Sequence, residues 1–96
     1  MPRIRWAQRA SLDLIRLHRF LAAKSEDAAY RAIQTIRQGV KPLGKHPEMG
    51  RTVEDLPSDI REWVIEFGQS AYIVRYRYDG KHIVILAVRH GREAGF

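Results

Sequence analysis

The residues best suited to chemistry lie in one nine-residue stretch, "VRHGREAGF" (88–96). It carries Arg89, His90, Arg92 and a closing aromatic, Phe96, just behind "KHIVIL", a run that reads as buried strand. An imidazole changes charge within the physiological range, which suits it to moving protons as acid or base. Guanidinium groups grip phosphate or carboxylate bidentately, so Arg89, Arg92 and, from an earlier strand, Arg61 are candidates to hold an anion. The same residues also allow a plainer arrangement. His90 would then cap a strand end through a backbone hydrogen bond, and Arg89 and Arg92 would pair with Glu93 or Glu66 or stay solvated. Cysteine is absent, which removes disulfides and thiolate metal sites, and neither a metal nor a cofactor is expected.

The elements that must position this stretch follow from periodicity. "RIRW" is a short strand candidate, and Ser11 offers a helix N-cap with Asp13 in the first turn. Leu14, Leu17 and Leu21 then recur at helical spacing, flanked by Leu12 and Ile15. Ser25, followed by Glu26 and Asp27, caps a second helix whose stripe is Ala29, Ile33, Ile36, Val40 and Leu43. Gly39 and Pro42 weaken its end. "GKHPEMGRTVEDLPSD" (44–59) reads as loop. Beyond it the period becomes two, with strands over 61–67, 72–78 and 82–89 and a type I′ hairpin signal at Asp79-Gly80.

Pairing Phe67 with Tyr72 across "GQSA", and Tyr78 with Lys81, gathers Trp63, Ile65, Phe67, Tyr72, Val74, Tyr76, Ile83 and Ile85 on one face, with Glu62 opposite Arg77. That face should take the helix hairpin. The other gathers Ile73, Val84, Leu86 and Val88, a docking surface for a second copy or a partner. Arg75 and Arg77 read as ordinary sheet-surface charges, and the tyrosines as packing.

Ninety-six residues make one domain, 1–96. The net charge of +6 is uneven: residues 1–51 hold eleven Lys/Arg against four Asp/Glu, and 52–96 hold six against seven. Such an excess favours an anionic partner, nucleic acid or an acidic protein segment. "MPRIRWAQRA" lacks a signal-peptide core and no apolar run approaches bilayer length, so a cytoplasmic protein with no membrane partner is expected.

The order β-α-α-β-β-β, with "DL" in the first helix, "HPEMGR" (46–51), "DIREWVIEFGQSAYIVRYRY" (59–78) and "VILAVRHGREAGF" (84–96), resembles the RelE/ParE superfamily of toxins from bacterial type II toxin–antitoxin modules. The resemblance implies an α+β fold, a helix hairpin packed on a small antiparallel sheet. It also implies a cognate antitoxin whose acidic or amphipathic segment wraps the toxin, with Ile73, Val84, Leu86 and Val88 as its seat. Toxins of the RelE branch cleave mRNA on the ribosome, and those of the ParE branch poison DNA gyrase. Val64 and Glu66 stand here where RelE has catalytic lysines, Ile73 where it has an arginine, and Phe96 where it has a tyrosine. These departures favour the ParE branch, with Arg61, Arg89, His90, Arg92 and Phe96 as contacts to gyrase. His90 matches the position of a catalytic histidine in other ribosome-dependent members. The alternative is therefore an mRNA endoribonuclease, working on the ribosome with His90, Arg89 and Arg92.

Overall fold

A computed structural model describes residues 2–96. The chain runs β1 (Ile4–Trp6), α1 (Gln8–Ala22), α2 (Glu26–Val40), a 3-10 turn (Lys41–Gly44), β2 (Arg51–Thr52), β3 (Ile60–Phe67), β4 (Ser70–Tyr78) and β5 (Ile83–His90). This is the expected α+β order with a two-residue strand added inside the 44–59 segment. α1 begins three residues before the Ser11 cap expected for it. Its N-cap is Ala7, which has no side-chain cap but donates its amide to the Ile85 carbonyl, so a tertiary bond fixes the helix start. α2 begins as expected: the Ser25 hydroxyl accepts the Ala28 amide, with Glu26 and Asp27 in the positive first turn. Pro42 converts its end into the 3-10 turn. No helix in the described residues is long and apolar enough to cross a membrane.

The five strands lie in the order β1-β5-β4-β3-β2, and because β1 runs parallel to β5 the sheet is mixed rather than wholly antiparallel. Leu14, Leu17, Ile36, Val40 and Leu43 pack from the helices onto Ile65, Tyr72, Val74, Tyr76, Ile83 and Ile85. Each large aliphatic side chain buried this way contributes about 1.5–3 kcal/mol. α2 comes close to β3 because Gly39 has no side chain: a Cβ there would sit 2.7 Å from Ile65, and the Gly39 carbonyl accepts the Trp63 indole N–H. The 46–51 segment is tied down by Tyr76, whose hydroxyl donates to the Pro47 carbonyl at 2.7 Å and accepts the Gly50 amide at 2.9 Å.

Both hairpins are displaced by two residues from the expected register. Phe67 pairs with Ser70 around a two-residue turn, with Gly68 at φ +59 in the first position, as a type II′ hairpin requires. Trp63 therefore meets Val74, and Glu62 meets Arg75 instead of Arg77. In the second hairpin Tyr78 pairs with Ile83, because the Asp79 carboxylate takes the amides of Lys81 and His82 and draws the turn one residue onward. Those amide bonds, His82 first, hold the Asp79 carboxyl down to about 2. A shift of two leaves every face unchanged.

The larger departure is inside β5. Tyr76 pairs with Ile85 but Arg75 with Ala87, so Leu86 is an extra residue, a β-bulge. Beyond it the alternation inverts. Val88 turns to the helix side and is fully buried beside Val74, which corrects its place on the opposite face. The backbone inverts as well. Before the bulge Ile83 and Ile85 bond β1; after it the groups of Val88 and His90 point off that edge, where β1 has ended. Helix α1 meets them with side chains: Asp13 Oδ2 accepts the Val88 amide at 2.9 Å, and Arg16 reaches the Val88 carbonyl at 3.4 Å. Asp13→Ala leaves that part-buried amide unpaired and should cost about 1–3 kcal/mol in urea unfolding. Asp13→Asn keeps an acceptor oxygen and should cost clearly less. Equal losses would assign the effect to the Arg9 and Arg16 ion pairs at 3.9 and 3.6 Å.

Candidate functional site

The inverted half of β5 sends its last two side chains to opposite sides. Arg89 pairs with Ile73 on the open face, and His90 pairs with Tyr72 on the helix side, its ring edge-on to the Tyr72 ring at 5.4 Å. A turn closes behind them. The His90 amide donates to Glu93 Oε1 at 2.8 Å, and Glu93 Oε2 accepts Arg16 of α1 at 2.7 Å. Arg89 Nη1 donates to the carbonyls of Glu93 and His90 from the other side. The "RHGRE" segment is thus a built turn, pinned to the first helix, and not a solvated tail. Burial alone would raise the Glu93 carboxyl, but the His90 amide and the Arg16 guanidinium outweigh it and hold it below its usual value.

On the open face the Phe96 ring lies 4.2 Å from the Arg75 guanidinium and 5.1 Å from that of Arg89, stacked with both. Arg75 is itself fixed from behind by Glu62, a buried carboxylate that accepts its Nη2 and Nε at 2.8 and 3.2 Å. Arg51 flanks the same carboxylate at 3.8 Å. Arg75 is therefore an anchor and more than an ordinary surface charge. Arg89 Nε is buried with no hydrogen-bond partner among the described residues. Ile73, Val84 and Leu86 are half-buried on this face, and Val64 is exposed beside them.

His90 lines two hollows. One, of about 400 Å³, is walled by Val64, Glu66, Ser70 and Arg92. The other, of about 560 Å³, lies toward α1 between Leu17, Phe20, Leu21 and Tyr72. The Arg92 amide donates to His90 Nδ1 at 3.0 Å, so the neutral ring carries its proton on Nε2. While that bond stands, Nδ1 accepts no proton from a substrate and Nε2 has no lone pair to do so. Burial pushes the Tyr72 phenol up, which leaves it protonated.

Arg89, His90, Arg92 and Phe96 are therefore brought together in one turn, whereas Arg61 is not with them. Its guanidinium donates to the Gly50 and Glu48 carbonyls at 2.7 and 3.0 Å, at the β2 end of the sheet. Sequence reasoning missed Asp13, Arg16 and Tyr72, which complete the site. Asp13 and Arg16 look like ordinary helix charges until the fold brings a strand more than seventy residues away against them. Among the described residues no three His, Cys, Asp or Glu side chains converge as a metal site.

The family model described as "ParE toxin of type II toxin-antitoxin system, parDE" matches residues 4–95. Toxin RelE3 of Caulobacter vibrioides is 32% identical over 93 residues, covering 97% of this chain and 98% of the relative. Toxin RelE1 of the same organism is 35% identical over 85 residues, 88% of each. A chain of a chromosomal ParDE TA system from P. aeruginosa superposes with a TM-score of 0.74 at 24% identity, covering 94% of this chain and 96% of that one.

The Glu93 clasp generates a pH dependence. A carboxyl held below its ordinary 4.5 in the folded state contributes stability that is full above that value and is lost as pH falls through the lower, folded value. Protection factors of the His90 and Glu93 amides should therefore fall on acidification below about 4.5, and Glu93→Ala, which removes the acceptor, should leave them low at all pH values. An unchanged profile in that variant would show that the Arg89 bonds alone hold the turn.

Proposed function

The chain belongs to the ParE toxin family of type II toxin–antitoxin systems, matched over residues 4–95, and from that premise we propose that it stops growth by binding DNA gyrase through its C-terminal surface. The observation that carries this reading is the state of His90. Its Nδ1 is occupied by the Arg92 amide, and one hollow it lines also takes in Val64 and Glu66. Strand cleavage at a phosphate needs a free base, an acid and cations around the developing charge. A carboxylate beside that hollow repels the phosphate instead. Phe96 has no proton to give, and its ring lies against the guanidiniums of Arg75 and Arg89. What the turn does offer is a rigid donor array, with an exposed Arg92 and the His90 Nε2–H, suited to docking against an acidic protein surface.

The second reading is an mRNA endoribonuclease acting on the ribosome. Its support is that the two relatives at 32% and 35% identity carry the name RelE, and that His90 and Arg92 share a hollow. The two readings separate in a purified supercoiling assay with intact chain. Under the gyrase reading His90→Ala still blocks supercoiling, and Arg92→Glu weakens the block roughly tenfold, as losing about 1.4 kcal/mol of interaction would. If His90→Ala abolishes growth arrest and wild-type chain leaves cut messages on ribosomes with supercoiling intact, the ribonuclease reading replaces it.

A cognate antitoxin is proposed to cover the half-bare open face at Ile73, Val84 and Leu86, its acidic character matching the net charge of +6. Leu86→Glu should weaken the toxin–antitoxin complex by about 2–5 kcal/mol in titration calorimetry while the free toxin keeps its melting temperature. Val88→Glu, which buries a charge in the core, should instead unfold the free chain. Protection of Ile73 and Leu86 amides that does not change on antitoxin binding would count against this face.

A further inference from the structure

Five exposed cations gather at the β1 edge of the sheet. Arg3 and Arg5 lie on and beside β1, Arg37 at the end of α2, Lys41 in the 3-10 turn and Lys45 just after it. Several observations bring them together. Arg37 and Lys41 line a hollow with Ile4, Trp6 and Ser11, and Gly44 packs beside Ile4. Asp and Glu are missing from residues 1–12 and 28–47, the segments that build this edge. Among the described residues none of the five forms an ion pair within 4 Å, whereas Arg9 in the first turn of α1 turns away to Asp13 at 3.9 Å and the hollow beside Arg89. A favourable helix dipole accounts for Arg37 and Lys41 at the end of α2, but not for Arg3, Arg5 or Lys45.

Strand alternation sets the geometry. Ile4 and Trp6 face the helices, so Arg5 and Arg3 face the other side of the same edge, while Arg37 and Lys41 flank it on the helix side. We propose that this edge binds the phosphate backbone of duplex DNA. The edge carries cations on both of its flanks, and a duplex presents two charged backbones on either side of a groove about 12 Å wide. Cations on both flanks then each meet a phosphate strand. A single acidic peptide would reach one flank only. The proposal is independent of the gyrase reading, which concerns the turn at residues 89–96.

The test is fluorescence anisotropy of a labelled duplex of arbitrary sequence with the full chain, at several salt concentrations. Two variants remove two exposed, carboxylate-free cations each: Arg37→Gln/Lys41→Gln at the edge, and Arg19→Gln/Lys24→Gln in the last turn of α1 and the turn behind it. The expected result is about tenfold weaker binding for the first at low salt, with a salt slope smaller by about 1.8, since each phosphate contact contributes about 0.9. The second should change binding by less than about twofold, and both should melt like wild type. Equal weakening in the two variants would reduce the effect to net charge and overturn the site. Tighter binding of polyglutamate or of single-stranded RNA than of the duplex would overturn the choice of ligand.

Discussion

One extra residue in a strand sets the arrangement of the whole C-terminal end of the sheet. A β-bulge at Leu86 inverts everything that follows it in β5, side chains and backbone together. Without it Val88 would lie bare on the open face, His90 would join it, and Arg89 would be driven into the helix side. With it, the last turn of the core closes over Val88, the guanidinium of Arg89 lies where Phe96 stacks on it, and His90 stands against Tyr72. The inversion also exposes the Val88 and His90 amides along an edge that β1 no longer covers. Unpaired buried amides are costly, so the fold must supply acceptors, and it does so with Asp13 and Glu93. Arg16 then touches Asp13, Glu93 and the Val88 carbonyl at once. Three side chains replace a missing strand.

The open face is organised around a second fixed point, the buried Glu62. A carboxylate removed from water adds little net stability even when paired, because desolvation offsets the attraction. Its value is geometric. Glu62 holds Arg75 in one orientation, the Phe96 ring lies against Arg75 and Arg89, and the segment after β5 is thereby laid against the sheet. The cationic surface is preorganised, so little side-chain entropy is lost when something binds it.

Much of this was legible in the sequence. Helix stripes, the Ser25 cap, the order of elements and the core face all follow from periodicity and capping chemistry, and they match because local preference and tertiary packing agree there. The hairpin registers were displaced by two because glycine-containing turns of two residues, Gly68-Gln69 and Gly80-Lys81, close more tightly or one step later than the loops read for them. That error is silent for faces. The bulge was not legible for a specific reason: "IVILAV" is apolar on both sides, so a change of phase leaves no mark in its alternation. The start of α1 was misplaced because its anchor is a bond to Ile85 and not a side chain near Ser11.

The parallel pairing of β1 with β5 has a bearing on when the fold can finish. Residues 4–6 are joined to residues 83–85, and Asp13 to Val88, across nearly the full span of the domain. The antiparallel hairpins of β3, β4 and β5 need only neighbours, whereas closing these distant contacts is an entropically slower step. During synthesis from the N-terminus, β1 and α1 exist long before the strand they need. The first helix therefore waits, its acceptor carboxylate idle, and the turn at residues 89–96 comes into being only as the last event of assembly.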